Sequence, residues 1–309
     1  MIRTFALLAL LGVGAAACSR RDAESGAMVE TPPGPEDGAC RQYDPTRHAV
    51  GTTPAELSEL SGLAASHTHP GIWWAHNDSG NAAELFAIRE TGEVVARFPL
   101  AADYSAKDAE DVAVGPCQSG DEAECIYLAD IGDNLESRPQ VRIFVAHEPA
   151  ELRDGPLPAT VLTFTYPDGP HNAEALILNR KNATLYVLTK TVESLGDLYR
   201  IDRPRAGEVV EAVKVGPVHS RLPSDHVSTA ADLHPDVLRL LIRTYDRVWE
   251  LRRAGATTVE ELLGSEAVEI PGAPGQPQSE AIAWSADGRH YLIGSEGKGS
   301  SLVRIDCRD

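Results

Sequence analysis

A strand opening that recurs five times, at intervals of about fifty residues, constrains the fold of this chain most strongly. Each copy starts with a polar residue and continues with small, acidic and aliphatic residues. The copies are Ser61–Ala64, Glu110–Ala113, Glu174–Ile177, Thr229–Asp232 and Glu280–Ala283, and their starts are 49 to 64 residues apart. A turn and further short apolar or alternating runs follow each copy, and such a succession is typical of β-strands.

Each repeat has room for about four strands, which is the content of one β-propeller blade. We therefore predict an all-β fold, a single β-propeller of five four-stranded blades, with six blades as the alternative. The fifth repeat stops after its third strand, and the segment Tyr43–Val50 can supply the fourth, which closes the ring and removes free sheet edges. Val209–Val215 is predicted as the fourth strand of the third blade. The best helical candidate, Val259–Leu263, is short.

The first seventeen residues are expected to be a signal peptide, because the apolar run Phe5–Ala17 is too short to span a bilayer. The sequence Ala15-Ala16-Ala17-Cys18 resembles a bacterial lipobox, which implies a lipid-modified Cys18. An ordinary signal peptide cut after Ala17 is the alternative. Residues 18–39 are rich in Pro, Gly, Glu and Ser and are predicted to form a disordered tether. We thus expect an exported lipoprotein of the cell envelope, in the outer membrane of a Gram-negative cell, with a propeller domain at 40–309.

Four further cysteines support export, because exported chains form disulfides. Three pairings are possible. The geometrically simple one joins Cys117 to Cys125, eight residues apart, and Cys40 to Cys307, which would fasten the chain ends. A zinc site is disfavoured because no CxxC motif and no Cys/His pair close in sequence occurs.

The chain of 309 residues carries a formal charge of −18, with an isoelectric point near 4.9. This balance argues against nucleic acid as a partner, because neutralising phosphates requires Lys and Arg. It also argues against electrostatic docking on anionic lipid, so membrane contact is expected through the lipid anchor alone. The chain is expected to be a monomer, and its charge allows cation binding.

Polar residues concentrate where first strands begin and second strands end. In an antiparallel pair these two points meet at one edge, so they should form one face of the ring. The candidate ligand-binding residues on this acidic mouth are Asn77, Asp78, Glu110, Asp111, Asp130, Asp133, Asn134, Glu174, Lys190, Asp232, Arg243, Glu280 and Glu296. The same face is predicted to carry Ser61, His76, Asp108, His171, Asn172, Asp225, His226, Thr229 and Ser279.

The negative charge on this face must be compensated, because two carboxylates about 6 Å apart repel by roughly 3 kcal/mol at an effective dielectric constant near 20. Lys190 and Arg243 can offset only part of it and could also receive an anionic ligand. The predicted metal ligands are Glu110, Asp130, Asp133, Glu174 and Glu280, and this oxygen-rich set suits Ca²⁺ better than zinc. The alternative is that these groups cap strand ends and bond to neighbouring blades. Trp73 and Trp74 are predicted to pack between blades.

Several segments resemble a group of bacterial secreted and lipoprotein β-propellers, loosely related to the phytase-like (esterase-like phytase) propellers. The resemblance lies in Asp108–Pro116, Tyr127–Asn134, Asn77–Gly80 and the segments around Ala231 and Arg243. Members of the group often have an aromatic residue where Ala109 stands. The resemblance implies the propeller fold but assigns no catalytic residue to this chain.

Three functions are compatible with these features. The first is an envelope lipoprotein that binds a small ligand, with Ca²⁺, at the acidic mouth. The second is a calcium-dependent phosphoric ester hydrolase, in which a metal-polarised water attacks the ester. The third is a protein-interaction scaffold, and fold alone does not choose among them.

Overall fold

Strands make up nearly all the regular structure in the computed structural model, which describes residues 40, 42–118, 120, 122–192, 194–202, 204–218, 227–236 and 238–308. The predicted signal peptide, the lipidated Cys18, the tether, Asp225 and His226 therefore lie outside the described residues. The helical candidate Val259–Leu263 forms a short 3₁₀ helix at Glu260–Gly264, and a second 3₁₀ helix spans Ala55–Leu57. No helix among the described residues is long and apolar enough to cross a membrane.

The strands are numbered in chain order. The first eleven are β1 (Gln42–Tyr43), β2 (His48–Thr52), β3 (Leu60–Ala65), β4 (Trp73–Asn77), β5 (Glu84–Ile88), β6 (Val94–Ala101), β7 (Ala109–Pro116), β8 (Glu124–Asp130), β9 (Val141–His147), β10 (Leu157–Thr165) and β11 (Ala173–Asn179). The others are β12 (Thr184–Thr189), β13 (Asp197–Ile201), β14 (Val209–Glu211), β15 (Val213–Pro217), β16 (Ser228–Leu233), β17 (Arg239–Thr244), β18 (Val248–Arg252), β19 (Ala267–Ile270), β20 (Ala281–Trp284), β21 (His290–Gly294) and β22 (Ser301–Arg308).

The strands of the described residues form five antiparallel units of four. The units are β3-β4-β5-β6, β7-β8-β9-β10, β11-β12-β13-β15, β16-β17-β18-β19 and β20-β21-β22-β2. The first two units are also joined by a two-residue parallel pairing of β6 with β10. The first strands contact one another in a closed cycle, from β3 through β7, β11, β16 and β20 back to β3. The predicted β-propeller is confirmed.

A hydrophobic layer fills each space between neighbouring units. Because side chains alternate along a strand, each sheet buries one face against each neighbour. Trp73 and Trp74 show this directly: Trp73 packs toward β20 and β21, and Trp74 packs toward β7 and β8. The prediction that both tryptophans lie between blades is confirmed.

The ring closes through the N-terminal segment, as predicted. Strand β2 pairs antiparallel with β22, in register from His48 opposite Arg304 to Thr52 opposite Ser301, and β1 pairs with the end of β22. Both predicted disulfides are present, Cys40–Cys307 and Cys117–Cys125. The Cys40–Cys307 bridge therefore links the segment that precedes β1 to β22, the strand with which both β1 and β2 pair.

The predicted fourth strand of the third unit, Val209–Val215, is divided between two sheets. Its first part, β14, pairs in parallel with β10 of the second unit, and its second part, β15, pairs with β13 of its own unit. Ala212, the residue between β14 and β15, is buried, and its backbone N–H donates to the carbonyl of Thr165. The segment thus covers the outer edge of one blade before it completes the next.

Candidate functional site

Five carboxylates converge where the first strands begin. Their oxygens form two groups, Asp78 with Glu280 and Glu296, and Asp78 with Asp108 and Glu110. Within each group the ligand atoms lie within 4.8 Å of one another, and Asp78 belongs to both. We call these five residues the carboxylate cluster. It contains Glu110 and Glu280 of the predicted metal ligands, and it adds Asp78, Asp108 and Glu296.

A glycine makes the close approach of two of these groups possible. Gly132 follows β8, and its N–H donates to the carbonyl of Asp108 at 3.1 Å. A Cβ at this position would overlap the carboxylates of Glu110 and Asp108. The Asp130–Asn134 loop therefore leaves room at Gly132 for the carboxylates of Glu110 and Asp108. This explains why a glycine lies between the acidic residues of the loop.

Burial and mutual repulsion shift the titration of the cluster. Burial and the neighbouring Glu296 raise the pKa of Glu280 to about 8, and burial and the surrounding carboxylates raise that of Asp78 to about 6. The pKa of Glu110 is raised by burial and by Glu174 and Asp78. Glu280 Oε2 is buried and has no hydrogen-bond partner among the described residues. Asp78 accepts the Ser79 backbone N–H and Glu280 Oε1 accepts from Gln278, so within the described residues the uncompensated oxygen is Glu280 Oε2.

The nearest ammonium group is already engaged. Lys190 Nζ lies 3.1 Å from Glu174 Oε1 and donates to the Tyr245 hydroxyl at 3.0 Å. Although burial opposes it, the Glu174 carboxylate raises the pKa of Lys190 above its usual range. Asn172 Nδ2 also donates to Glu174 Oε1, at 3.1 Å. Glu174 therefore forms an ion pair beside the cluster and belongs to neither carboxylate group, and its role as a metal ligand stays a prediction.

Asp130 and Asp133 are turned away from the cluster. Asp130 accepts hydrogen bonds from the backbone N–H groups of Lys107 and Asp108, at 2.9 and 2.7 Å, and pairs with the Arg138 guanidinium at 2.7 Å. Asp133 accepts the Arg138 backbone N–H at 2.6 Å. Asp130 thus holds the backbone before Asp108, and Asp133 holds its own loop; neither belongs to the two carboxylate groups, and their role as metal ligands stays a prediction.

Arg243 is buried rather than open to a ligand. It is 2% exposed, and its guanidinium donates to the carbonyl of Ala281 at 3.3 Å and to Gln276 Oε1. Burial lowers its pKa to about 9, although Glu280 opposes the shift. The contact with Ala281 joins the fourth unit to the fifth. Arg243 thus forms a contact between blades, and the expectation that it receives an anionic ligand stays a prediction.

Other candidates form local or inter-blade hydrogen bonds. Asn77 bonds to the backbone of Glu59 and Glu56, and Asn134 Oδ1 accepts from Asn172 at 3.3 Å. Of the additional residues on this face, Ser61 donates to the Glu110 carbonyl, Thr229 donates to the Ser279 carbonyl, His171 pairs with Asp168, and the buried His76 bonds to the Asn77 carbonyl. The predicted alternative, strand capping and inter-blade bonding, describes these residues.

Two candidate aspartates link first strands of adjacent units. Asp111 accepts the backbone N–H groups of Val112 and Leu176, at 2.8 and 2.9 Å, and thereby joins β7 to β11. Asp232 accepts the backbone N–H of Trp284 at 2.7 Å and thereby joins β16 to β20. It also lines a small cavity at the other end of the first strands. Burial raises the pKa of both carboxyls, to about 7 for Asp232. Neither contributes to the carboxylate cluster.

We expect Asp111→Ala to lower the free energy of unfolding by about 3 kcal/mol, because it leaves two buried backbone donors without an acceptor. Asp111→Asn retains a side-chain acceptor and should cost less. The measurement is urea denaturation of each variant beside Asp246→Ala, a change at an exposed position. Equal losses in Asp111→Ala and Asp246→Ala would contradict the inter-blade role.

Tyr245 is a site residue that the list of candidates missed. It follows β17 by one residue, just as Asp78 follows β4 and Lys190 follows β12. This shared position at the end of a second strand is a signal that would have identified it. Tyr245 contacts Lys190 both through its hydroxyl and through its ring, whose centroid lies 5.2 Å from Nζ.

No protein-family model and no curated protein sequence matches this chain. The relation to phytase-like propellers therefore stays a prediction. Among solved structures, the chain is similar to the PQQ-bound form of an aldose sugar dehydrogenase from Streptomyces coelicolor. The two share 12% sequence identity over 84% of this chain and 98% of the other, with a TM-score of 0.47.

Proposed function

We propose that this protein binds a divalent cation, Ca²⁺, at the carboxylate cluster and through it a small anionic ligand. The observation that carries the proposal is the pair of carboxylate groups that share Asp78. Carboxylate oxygens are the ligands that Ca²⁺ prefers, and Asp78 is placed to contact a cation in either group. The unpartnered Glu280 Oε2 supplies a second, independent reason, because a buried carboxylate oxygen needs a proton, a donor or a metal.

The cation would remove the electrostatic penalty of the cluster. Because no ammonium or guanidinium group among the described residues is paired with Glu280, a bound Ca²⁺ would replace the protons that its raised pKa retains near neutral pH. Lys190 and Tyr245, beside the cluster, would then contact the anionic ligand. Burial of Arg243 disfavours the hydrolase hypothesis, in which Lys190 and Arg243 would hold the phosphate. Attachment to the cell envelope through Cys18, as a monomer, belongs to the same proposal.

Protein stripped with a chelator is expected to gain about 5 °C or more in melting temperature at saturating Ca²⁺, because a ligand present at 100 times its Kd stabilises by about 2.7 kcal/mol. Calorimetric titration should show Glu280→Gln weakening Ca²⁺ binding at least tenfold. Asp78→Asn should weaken it more, because Asp78 belongs to both groups.

Glu151→Gln, an exposed change outside the cluster, is the matched control and should bind Ca²⁺ like the unaltered protein. The proposal fails if Ca²⁺ produces no shift, or if Glu280→Gln and Asp78→Asn bind it as tightly as the control does.

A further inference from the structure

The Cys117–Cys125 bridge lies beside an imidazole that is distant in sequence. His147 ends β9 and stands in register with Cys125 of β8. Its Nδ1 lies 3.4 Å from Cys117 Sγ and 3.9 Å from Cys125 Sγ. The sequence argument against a metal site relied on the absence of a nearby Cys/His pair, and the pairing of β8 with β9 supplies that pair.

The imidazole nitrogen stands from each sulfur at about the distance that separates two ligands of one tetrahedral metal ion, and breaking the S–S bond lets the two sulfurs move apart to a similar spacing. With Zn–S near 2.3 Å and Zn–N near 2.0–2.1 Å, an imidazole nitrogen and a thiolate on one zinc ion stand about 3.5 Å apart. The observed separations of Nδ1 from the two sulfurs lie on either side of this value. We infer that reduction of the Cys117–Cys125 disulfide creates a Cys₂His site for a thiophilic divalent cation such as Zn²⁺.

The backbone keeps the two thiols together after reduction. Cys117 N–H donates to the carbonyl of Ala123 at 2.9 Å, and Gly115 stands in register with Cys125. The Cα atoms of the two cysteines are 4.9 Å apart. Because the bridge closes a loop of only eight residues, its loss frees less chain entropy than loss of the Cys40–Cys307 bridge, whose cysteines are 267 residues apart. The β7–β8 ladder therefore holds the ligands in place without the covalent bond.

The site is open to both a reductant and a metal ion. Cys117 is partly exposed and lines a cleft of about 740 Å³ whose walls include Tyr127, Leu162 and Ile201. His147 is exposed. A small dithiol would reach Cys117 Sγ from this side, and the fourth coordination position would face the cleft or solvent.

The chemistry balances with one dithiol reductant. Its two thiols are oxidised to a disulfide, the Cys117–Cys125 bond is broken, and the two electrons and two protons appear as two cysteine thiols. Binding of Zn²⁺ then releases both thiol protons to solvent, because the thiolate is the ligand form. His147 binds as the neutral imidazole.

Cobalt(II) replaces zinc as the probe in this experiment. Its bonds to thiolates produce an ultraviolet charge-transfer absorption, which reports binding at the cysteines. The full chain is treated with a dithiol under native conditions, and alkylation with mass mapping identifies the opened bridge. Each bridge joins one buried and one partly exposed cysteine, so the mass mapping also establishes whether the Cys40–Cys307 bridge stays closed. We expect one Co²⁺ per chain with the thiolate band in the reduced protein and no such band in the oxidised protein.

Three variants test the ligands. His147→Ala should weaken Co²⁺ binding at least tenfold, His48→Ala, which changes another exposed histidine, should not, and Cys117→Ser/Cys125→Ser should abolish the thiolate band. Cation binding at the carboxylate cluster gives no thiolate band and should persist in the double serine variant. The inference is overturned if the bridge stays closed, if the oxidised protein shows the band, or if His147→Ala binds as tightly as His48→Ala.

Discussion

Replacing Cys40 and Cys307 by serine is expected to lower the free energy of unfolding by about 5 kcal/mol. The two cysteines are separated by 267 residues, and in the loop-entropy model the stabilisation grows with the logarithm of loop length. Without the bridge, no covalent bond closes the ring, and its closure depends on non-covalent contacts such as the pairing of β1 and β2 with β22. A ring that opens at this seam exposes the edges of two strands.

The variant should still fold, because other contacts hold the N-terminal segment. Tyr43 donates to Glu250, whose carboxylate pairs with Arg239 at 2.5 Å, and Arg239 also donates to the carbonyl of Cys40. These groups are buried, and they anchor the segment to the fourth unit. The loss should therefore appear as lower stability and faster opening rather than as failure to fold.

The second bridge provides the matched control. Cys117→Ser/Cys125→Ser opens a loop of eight residues and should cost about 2.5 kcal/mol in the same model. Urea denaturation of both double variants, followed by tryptophan fluorescence, measures the difference. Equal losses in the two variants would show that the Cys40–Cys307 bridge does not govern closure of the ring.

The contribution of the carboxylate cluster to the stability of the chelated protein is expected to fall by about 3 kcal/mol between pH 5 and pH 8. In the folded state the carboxyl pKa of Asp78 is about 6 and that of Glu280 about 8, whereas both lie near 4 in the unfolded chain. Between these values the two carboxyls bind more protons in the folded state, so their contribution to stability is lost as the pH rises. The pKa of Glu280 alone rises from 4.5 to about 8, at roughly 1.4 kcal/mol for each pKa unit, and solvent screens part of the effect.

Melting curves in a series of buffers with chelator measure this slope. Glu280→Gln and Asp78→Asn should each flatten it, because the amide carries no charge at any of these pH values. Glu151→Gln, at an exposed position outside the cluster, should leave it unchanged. A slope as steep in Glu280→Gln and Asp78→Asn as in Glu151→Gln would contradict the electrostatic description of the cluster.

The propeller itself could be predicted because its causes are local. Alternating apolar residues such as those of Val141–His147, turns rich in Gly and Asp, and a recurring strand opening all act within one repeat of about fifty residues. The N-terminal closing strand followed from counting strands, since a propeller with a free edge is incomplete, and the cysteine pairing followed from the eight-residue spacing of Cys117 and Cys125. These features need no knowledge of which side chains meet across the ring.

The composition of the site depended on contacts across the ring, and only the tertiary structure decided it. Glu110, Glu174 and Asp130 look alike in sequence, yet only Glu110 joins the cluster, because Lys190 pairs with Glu174 and Arg138 with Asp130. Likewise, the pairing of β8 with β9 placed His147 beside two cysteines. The repeat determines which residues lie at an edge of the ring. The partner that each of them contacts there belongs to another blade or loop, far away in the sequence, and that partner determines the charge and the role of the residue.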